Sequence, residues 1–222
     1  MTRVVKTHDF DDWTLTNKEY VLWTVGDGQY GMFGDVQQNS VLFGQDGNDL
    51  IYGVFGDDYL AGGAGDDHLM GGYGKDVLFG GLGNDNLYGD NGNDYLNGGQ
   101  GSDIMFGGQG CDVFAFNLIH ADGPDAVFNP GDNVMFVPAA EYTPNMEADM
   151  IMDFDVARDS IRFTAGENGV ITTMTEMDTD WFNANVHLSD VDGNTLVSVG
   201  DQAVVYLMGV DVNTVEQDMF LF

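Results

Sequence analysis

The chain has 222 residues, enough for one or two modest domains with a real core, and 43% of them are hydrophobic, which excludes a disordered acidic tail. Lys and Arg total 6 against 37 Asp and Glu, a formal charge of −31. That balance disfavours nucleic acid and anionic membrane surfaces as partners; it favours divalent cations, or a setting in which salt screens the self-repulsion.

In chain order, residues 1–43 read as an N-terminal cap ending in a degenerate repeat. The opening residues, Met1 to Phe10, lack the apolar stretch of about 7–15 residues that marks a secretory signal peptide. No apolar run in the chain approaches the roughly 20 residues of a membrane span, so no membrane insertion is expected. Trp13, Leu15, Tyr20, Leu22, Trp23 and Val25 supply strand-forming residues suited to closing the open end of a sheet. An aromatic platform for sugars is the sharper alternative for Trp13 and Trp23. Asn39-Ser40-Val41-Leu42-Phe43 keeps the strand half of the period that follows but lacks its glycine and aspartate, so no proper metal site is expected there.

From Gly44 the chain divides into eight consecutive nonapeptides without insertion, ending at Ala115. The first and fourth positions are Gly in every one, from Gly44 to Gly107 and from Gly47 to Gly110. The sixth is always Asp: Asp49, Asp58, Asp67, Asp76, Asp85, Asp94, Asp103 and Asp112. The eighth is always apolar: Ile51, Leu60, Leu69, Leu78, Leu87, Leu96, Met105 and Phe114. Glycines permit a tight turn with positive φ, and positions seven to nine form a short strand with the eighth side chain inward. One nonapeptide cannot bury its own apolar residue, so neighbours must stack. Two repeats then make one coil of 18 residues, each adding a strand to one of two facing parallel sheets. The predicted fold is all-β: a parallel β-roll of four coils over 44–116, with the N-terminal cap before it and a β-rich capping region over 117–222.

Aspartates of repeats two apart lie on the same edge, about 4.8 Å from one another along the roll. A hard cation that takes six to eight oxygens at about 2.3–2.6 Å suits such rows, using carboxylates and the carbonyls freed by the turns. Three gaps on each edge predict about six Ca2+ ions. At ten times Kd each contributes roughly 1.4 kcal/mol, about 8 kcal/mol together, comparable to the stability of an ordinary domain. Calcium is therefore expected to be the condition for folding. A flexible Gly/Asp linker is the bland alternative, and it would not keep the eighth position apolar.

The pattern GGxGxDxUx resembles the RTX (repeats-in-toxin) family closely over 44–116, about a third of the chain. The resemblance implies that the eight aspartates bind calcium together with turn carbonyls, here those of Gly47, Gly56, Gly65, Gly74, Gly83, Gly92, Gly101 and Gly110. Departures stand at position two (Gln45, Val54, Asp90) and position five (Lys75, Ser102, Cys111), and Lys75 is expected to weaken the site of its neighbour Asp76.

Beyond Phe116 the sequence predicts short strands at Asp125–Val137, Met150–Phe154, Ser160–Phe163, Val170–Met174, Asn185–Leu188, Thr195–Val199 and Ala203–Met208. Asp190-Val191-Asp192-Gly193-Asn194-Thr195 reads as a hairpin turn, with a calcium loop as the minor alternative. Ala148–Asp155 followed by Asp159–Phe163 is similar to the segment that follows RTX repeats, where it continues the roll into an antiparallel β end-cap. The terminus Asp218-Met219-Phe220-Leu221-Phe222 resembles the uncleaved signal of type I secretion in Gram-negative bacteria, and also suits a final buried strand. The resemblance thus implies a secreted, extracellular or cell-surface protein that passes unfolded through a type I secretion apparatus and folds on calcium outside.

Catalytic motifs are missing from the sequence. His8, His68, His120 and His187 are scattered, with no His-Glu-x-x-His and no Gly-x-Ser-x-Gly. Cys111, the only cysteine, excludes an internal disulfide and has no placed His partner. No enzyme is expected; Met1 at the start favours a stand-alone structural, matrix, surface-layer or adhesive protein with possible calcium-dependent self-assembly into a homo-oligomer. The alternative is a folding, secretion or glycan-binding module associated with an extracellular protease, lipase or polysaccharide epimerase.

Overall fold

A computed structural model describes residues 21–25, 29–34, 39–119, 148–167, 170–172, 182–183, 185–199 and 202–221. Trp13 and Tyr20 and the strand expected at Asp125–Val137 lie outside them, as do His8 and His120.

The nonapeptides form β3 (Val41–Asp46), β4 (Leu50–Phe55), β5 (Tyr59–Ala64), β6 (His68–Tyr73), β7 (Val77–Leu82), β8 (Asn86–Asn91), β9 (Tyr95–Gln100), β10 (Ile104–Phe106) and β11 (Val113–Ile119). Strands two apart pair in parallel in 18-residue register, for example Leu60 with Leu78 and Leu69 with Leu87. Even-numbered strands build one sheet, sheet A, and odd-numbered strands from β3 to β11 the facing sheet B, so the fold is a parallel β-solenoid. Most strands are longer than positions seven to nine. They run six residues, through the first-position glycine into the third position of the next repeat. The coil one turn on lies in register beyond that glycine too, pairing Val54 with Gly72 and Phe55 with Tyr73.

The eighth-position side chains fill the space between the sheets. Ile51, Leu60, Leu69, Leu78, Leu87, Leu96, Met105 and Phe114 are completely buried. On the outside of sheet B, bulky and small residues alternate across neighbouring strands. Phe43, Tyr59, Phe79 and Tyr95 form a zigzag with ring centroids 5.5–5.9 Å apart, seated over Ala61 and Asn97.

At the N-terminal end, β1 (Val21–Val25) and β2 (Gln29–Phe33) make an antiparallel hairpin whose second strand joins β4 in parallel. At the C-terminal end the roll runs on past residue 116 into the segment expected to continue it, and then into an antiparallel cap. The continuation is first parallel: β12 (Asp149–Ile151) pairs with β10, and β13 (Ser160–Glu167) with β11. Ile151 and Ile161 take eighth-position places and are fully buried, because Asp149-Met150-Ile151 and Asp159-Ser160-Ile161 repeat the Asp-x-apolar half of the nonapeptide. The roll thereby gains a fifth coil. Antiparallel pairing follows, in β14 (Val170–Thr172) against β13 and in the hairpin of β15 (Val186–Val191) and β16 (Asn194–Val199). β17 (Gln202–Leu207) carries this hairpin onto β12, pairing parallel with β12 and antiparallel with β16.

Asp192 and Gly193 turn the β15–β16 hairpin at φ 54° and 83°, the positive values that a two-residue primed turn requires. The chain ends in β18 (Phe220–Leu221), which pairs with β13 and stacks Phe220 on Phe163 at 5.9 Å. The final strand is therefore buried in the cap. No helix among the described residues is long and apolar enough to cross a membrane.

Candidate metal centres along the two turn edges

Each sixth-position aspartate is placed by the strand that follows it: the buried eighth residue anchors the strand, and the carboxylate two residues earlier is drawn into the turn. All eight are at most 3% exposed. They form two rows, one per edge. In the first, the backbone N–H groups of Asp49, Asp67 and Asp85 donate to Oδ1 of the aspartate one coil on, at 2.7–2.8 Å. In the second, the N–H groups of Asp58, Asp76 and Asp94 do the same at 2.7–2.9 Å. One oxygen of Asp67, Asp76, Asp85, Asp94, Asp103 and Asp112 is thereby held against the preceding coil. The other is not satisfied in this way: Oδ2 of Asp67, Asp76, Asp85, Asp94 and Asp103 is buried with no hydrogen-bond partner.

Oδ2 points at the inner side of its own turn. Asp85 Oδ2 and the carbonyl oxygen of Gly98 both crowd the place where a Cβ would stand on Gly80, and Asp67 Oδ2 and the Gly80 carbonyl do the same at Gly62. A Cβ at position one would collide with both oxygens, so only Gly fits there, and the buried Oδ2, which has no donor, is relieved by a cation or a proton. The electrostatics agree. Burial pushes the Asp85 carboxyl up to about 9, Asp94 to about 8, and Asp67, Asp76 and Asp103 to about 7, with neighbouring carboxylates adding to the rise at Asp85, Asp94, Asp67 and Asp76. Asp112, nearer the end of its row, rises to about 6, again chiefly through burial.

Among the described residues no three His, Cys, Asp or Glu side chains converge as a ready metal cage. Two carboxylates and main-chain carbonyls per gap are what these turns offer, an all-oxygen set suited to a hard cation. The orphaned, buried carboxylate oxygens fit that group. When bound, calcium supplies the positive charge that lets stacked aspartates stay ionised one strand apart.

The family described as HemolysinCabind, RTX calcium-binding nonapeptide repeat (4 copies), matches residues 37–60, 52–87 and 79–114. The roll is an RTX repeat domain. Its repeats are calcium-binding repeats, and the match begins within the coil that carries Ser40. Among solved structures, the chain is similar to the extracellular lipase LipA from Serratia marcescens at 17% identity and a TM-score of 0.37, covering 86% of this chain and 40% of the lipase. It thus spans about two fifths of that lipase's length. It is also similar to two subunits of the Azotobacter vinelandii mannuronan C5-epimerase. AlgE6R2 matches at 22% identity and a TM-score of 0.41, over 83% of this chain and 92% of that one. AlgE6R3 matches at 23% identity and a TM-score of 0.27, over 85% and 80%. No curated protein matches the chain.

Three features of the RTX roll were not read from the sequence. The first is the extension of both aspartate rows into the fifth coil. Asp149 Oδ1 accepts the Asp103 N–H at 2.9 Å, and Asp159 Oδ1 accepts the Asp112 N–H at 3.0 Å. The Asp-x-Ile triplets were the available signal. The second is Asp153, whose two oxygens accept the N–H groups of Gly107 and Gly108 at 2.9 Å each. Beside it Arg158 pairs with Asp155 at 2.6 Å. The third is an outer ladder at position five. Side-chain Oδ1 atoms of Asn48, Asp57, Asp66, Asn84 and Asn93 accept the backbone N–H of the residue 18 further on, at 2.8–3.0 Å. Lys75 has no acceptor with which to continue it.

The departures at position two keep the glycine-like backbone: Gln45, Val54 and Asp90 have φ of 83°, 84° and 71°. Cys111 is exposed in its turn. His68 lies on the strand with its ring 5.0 Å from that of Tyr88. Asp190 and Asp192 serve the hairpin, with Asp190 Oδ1 accepting the Gly193 N–H at 3.4 Å, and among the described residues no calcium cage forms around them.

Proposed function

We propose that this protein is a secreted structural, matrix, surface-layer or adhesive component whose RTX roll folds when calcium becomes available outside the cell. The observation that carries the proposal is the pair of buried aspartate rows with hydrogen-bond-orphaned Oδ2 atoms. Ionised and without metal, those rows oppose the fold; loaded, they hold it together. The eight sixth-position aspartates are the side-chain ligands, and the fourth-position glycines from Gly47 to Gly110 contribute carbonyls. About six ions fill the gaps between the coils. Low calcium inside the cell keeps the chain unfolded, which suits passage through a type I secretion channel, and the buried C-terminal strand carries the export signal. The cap over 1–43 and the region over 117–222 protect the two ends of the roll, whose sheets would otherwise present open edges.

Circular dichroism during a calcium titration, reversed with chelator, tests the folding step, and native mass spectrometry counts the ions. A cooperative gain of β-structure with about six ions bound is the expected outcome. Equal β-structure in excess chelator at neutral pH would overturn it.

A further inference from the structure

The fifth coil ends the two aspartate rows in different ways. Asp149 follows Asp103 on one edge and Asp159 follows Asp112 on the other, both outside the matched repeats over 37–114. Asp103 is fully buried, with Oδ1 accepting the Asp85 N–H at 2.8 Å and Oδ2 buried without a hydrogen-bond partner. Along this row Oδ2 faces the coil that follows: Asp85 Oδ2 shares the space beside Gly80 with the carbonyl of Gly98, one coil on. Asp103 Oδ2 takes the same place beside Gly98, so it faces the coil in which Asp149 stands. Asp149 is 3% exposed and brings a second carboxylate to this gap, its Oδ1 accepting the Asp103 N–H at 2.9 Å. The register matches that of the preceding coil: β10 pairs Ile104 with Asn86 on one side and with Met150 on the other.

The other row closes on groups supplied by the chain itself. Each oxygen of Asp159 accepts a backbone N–H, Oδ1 that of Asp112 at 3.0 Å and Oδ2 that of Asp155 at 2.8 Å. Arg158 stands between these residues in sequence and pairs with Asp155, Nη2 to Oδ2 at 2.6 Å and Nε to Oδ2 at 2.7 Å. Its positive charge acts on Asp159 and Asp112 as well. A guanidinium is always charged and its place is fixed by the chain, so it needs no calcium to be present.

We infer that the gap between Asp103 and Asp149 is a further calcium site, and that Arg158 takes the place of the ion at the gap between Asp112 and Asp159. Two buried carboxylates one strand apart, one of them with an oxygen that no donor reaches, suit a hard cation whose shell water can complete. A gap beside a fixed guanidinium is already compensated, and that charge repels a divalent ion. The further site is also a staple. Asp149 opens β12, which pairs with β10 of the roll and with β17 of the cap, so an ion held by Asp103 and Asp149 ties the cap to the last repeat. The two ends of the fifth coil thus differ in what holds them: one depends on calcium, the other does not.

This inference rests on the reading of the aspartate rows as calcium ligands, and the test reads the two separately. Native mass spectrometry counts ions on the full chain for wild type, Asp149→Asn and Asp159→Asn, at a free calcium that just saturates wild type. Asparagine keeps an Oδ1 acceptor at either position, so the strand pairing is retained. Asp149→Asn is expected to carry one ion fewer, a loss of about tenfold or more in affinity at that site, with faster hydrogen exchange in β12 and β17. Asp159→Asn is expected to carry the wild-type number. Anomalous diffraction from wild-type crystals grown in calcium places the ion without any variant: a peak beside Asp103 Oδ2 is expected, and none beside Arg158. An unchanged count in Asp149→Asn, or an empty Asp103–Asp149 gap in crystals whose other gaps are filled, overturns the further site. An ion lost in Asp159→Asn, or a peak between Asp112 and Asp159, overturns the role of Arg158. A wild type that binds no calcium overturns the underlying reading.

Discussion

Asp85→Asn separates a metal ligand from a structural hydrogen-bond acceptor, because the two roles predict opposite signs in two buffers. Asp85 sits mid-row, with its Oδ1 accepting the Asp67 N–H at 2.7 Å and its own N–H donating to Asp103 Oδ1 at 2.8 Å. Asparagine keeps the shape and the Oδ1 acceptor. It replaces the orphaned Oδ2 by an amide nitrogen that can donate toward the Gly98 carbonyl, which shares the space beside Gly80.

In chelator at pH 7 the wild-type chain can form the roll only with Asp85 protonated, since burial raises its carboxyl to about 9, and that requirement is part of what keeps the metal-free chain unfolded. Protonating a group with an ordinary value near 3.8 at pH 7 costs on the order of 4 kcal/mol. The amide avoids that cost, less a desolvation penalty of about 1–2 kcal/mol, so the metal-free variant gains about 2–3 kcal/mol. In calcium the sign reverses. Both gaps beside Asp85 lose a charged ligand, and about tenfold weaker binding at each removes roughly 1.4 kcal/mol per site, about 3 kcal/mol in all. Circular dichroism in excess chelator, with a stabilising osmolyte titrated in to bring up the metal-free fold, and urea unfolding in millimolar calcium measure the two. Destabilisation by a similar amount in both buffers would show the carboxylate to be a scaffold acceptor and would refute the reasoning.

The same carboxyls give the metal-free roll an inverted pH dependence. Their folded values of about 7 to 9 lie above the ordinary 3.8, so protonation stabilises the fold at low pH, and that stability is lost as pH rises through 7 to 9. More β-structure is expected in chelator at pH 5 than at pH 9, and a flat profile would contradict it. Leu78→Ala opens a cavity in the middle of the stacked column, where Leu78 is fully buried, and should cost about 2–5 kcal/mol of calcium-loaded stability in urea titrations. Val54→Gly should act the other way. It relieves a β-branched residue held at φ 84°, and a gain of about 0.5–2 kcal/mol is expected by the same measurement.

The amino-acid sequence determined the solenoid unaided, because a nine-residue period with an invariant apolar eighth position leaves stacking as the way to bury it. Both aspartate rows were legible for the same reason: periodic side chains stay in register when the backbone does. That the segment over 148–163 continues the roll was legible by resemblance, but not that Asp149 and Asp159 extend the two rows, since they stand 46 and 47 positions beyond the aspartates they follow rather than 18. Only the tertiary structure decided that the two Asp-x-Ile triplets dock in parallel, that Asp153 closes the turn at Gly107 and Gly108, and that Phe220 packs on Phe163. It also decided that one sheet hides its outer face while the other leaves Phe55 and Tyr73 in solvent. Repeats dictate what each coil resembles; long-range pairing, which depends on loop closure and on the fit of particular side chains, dictates where the coils end.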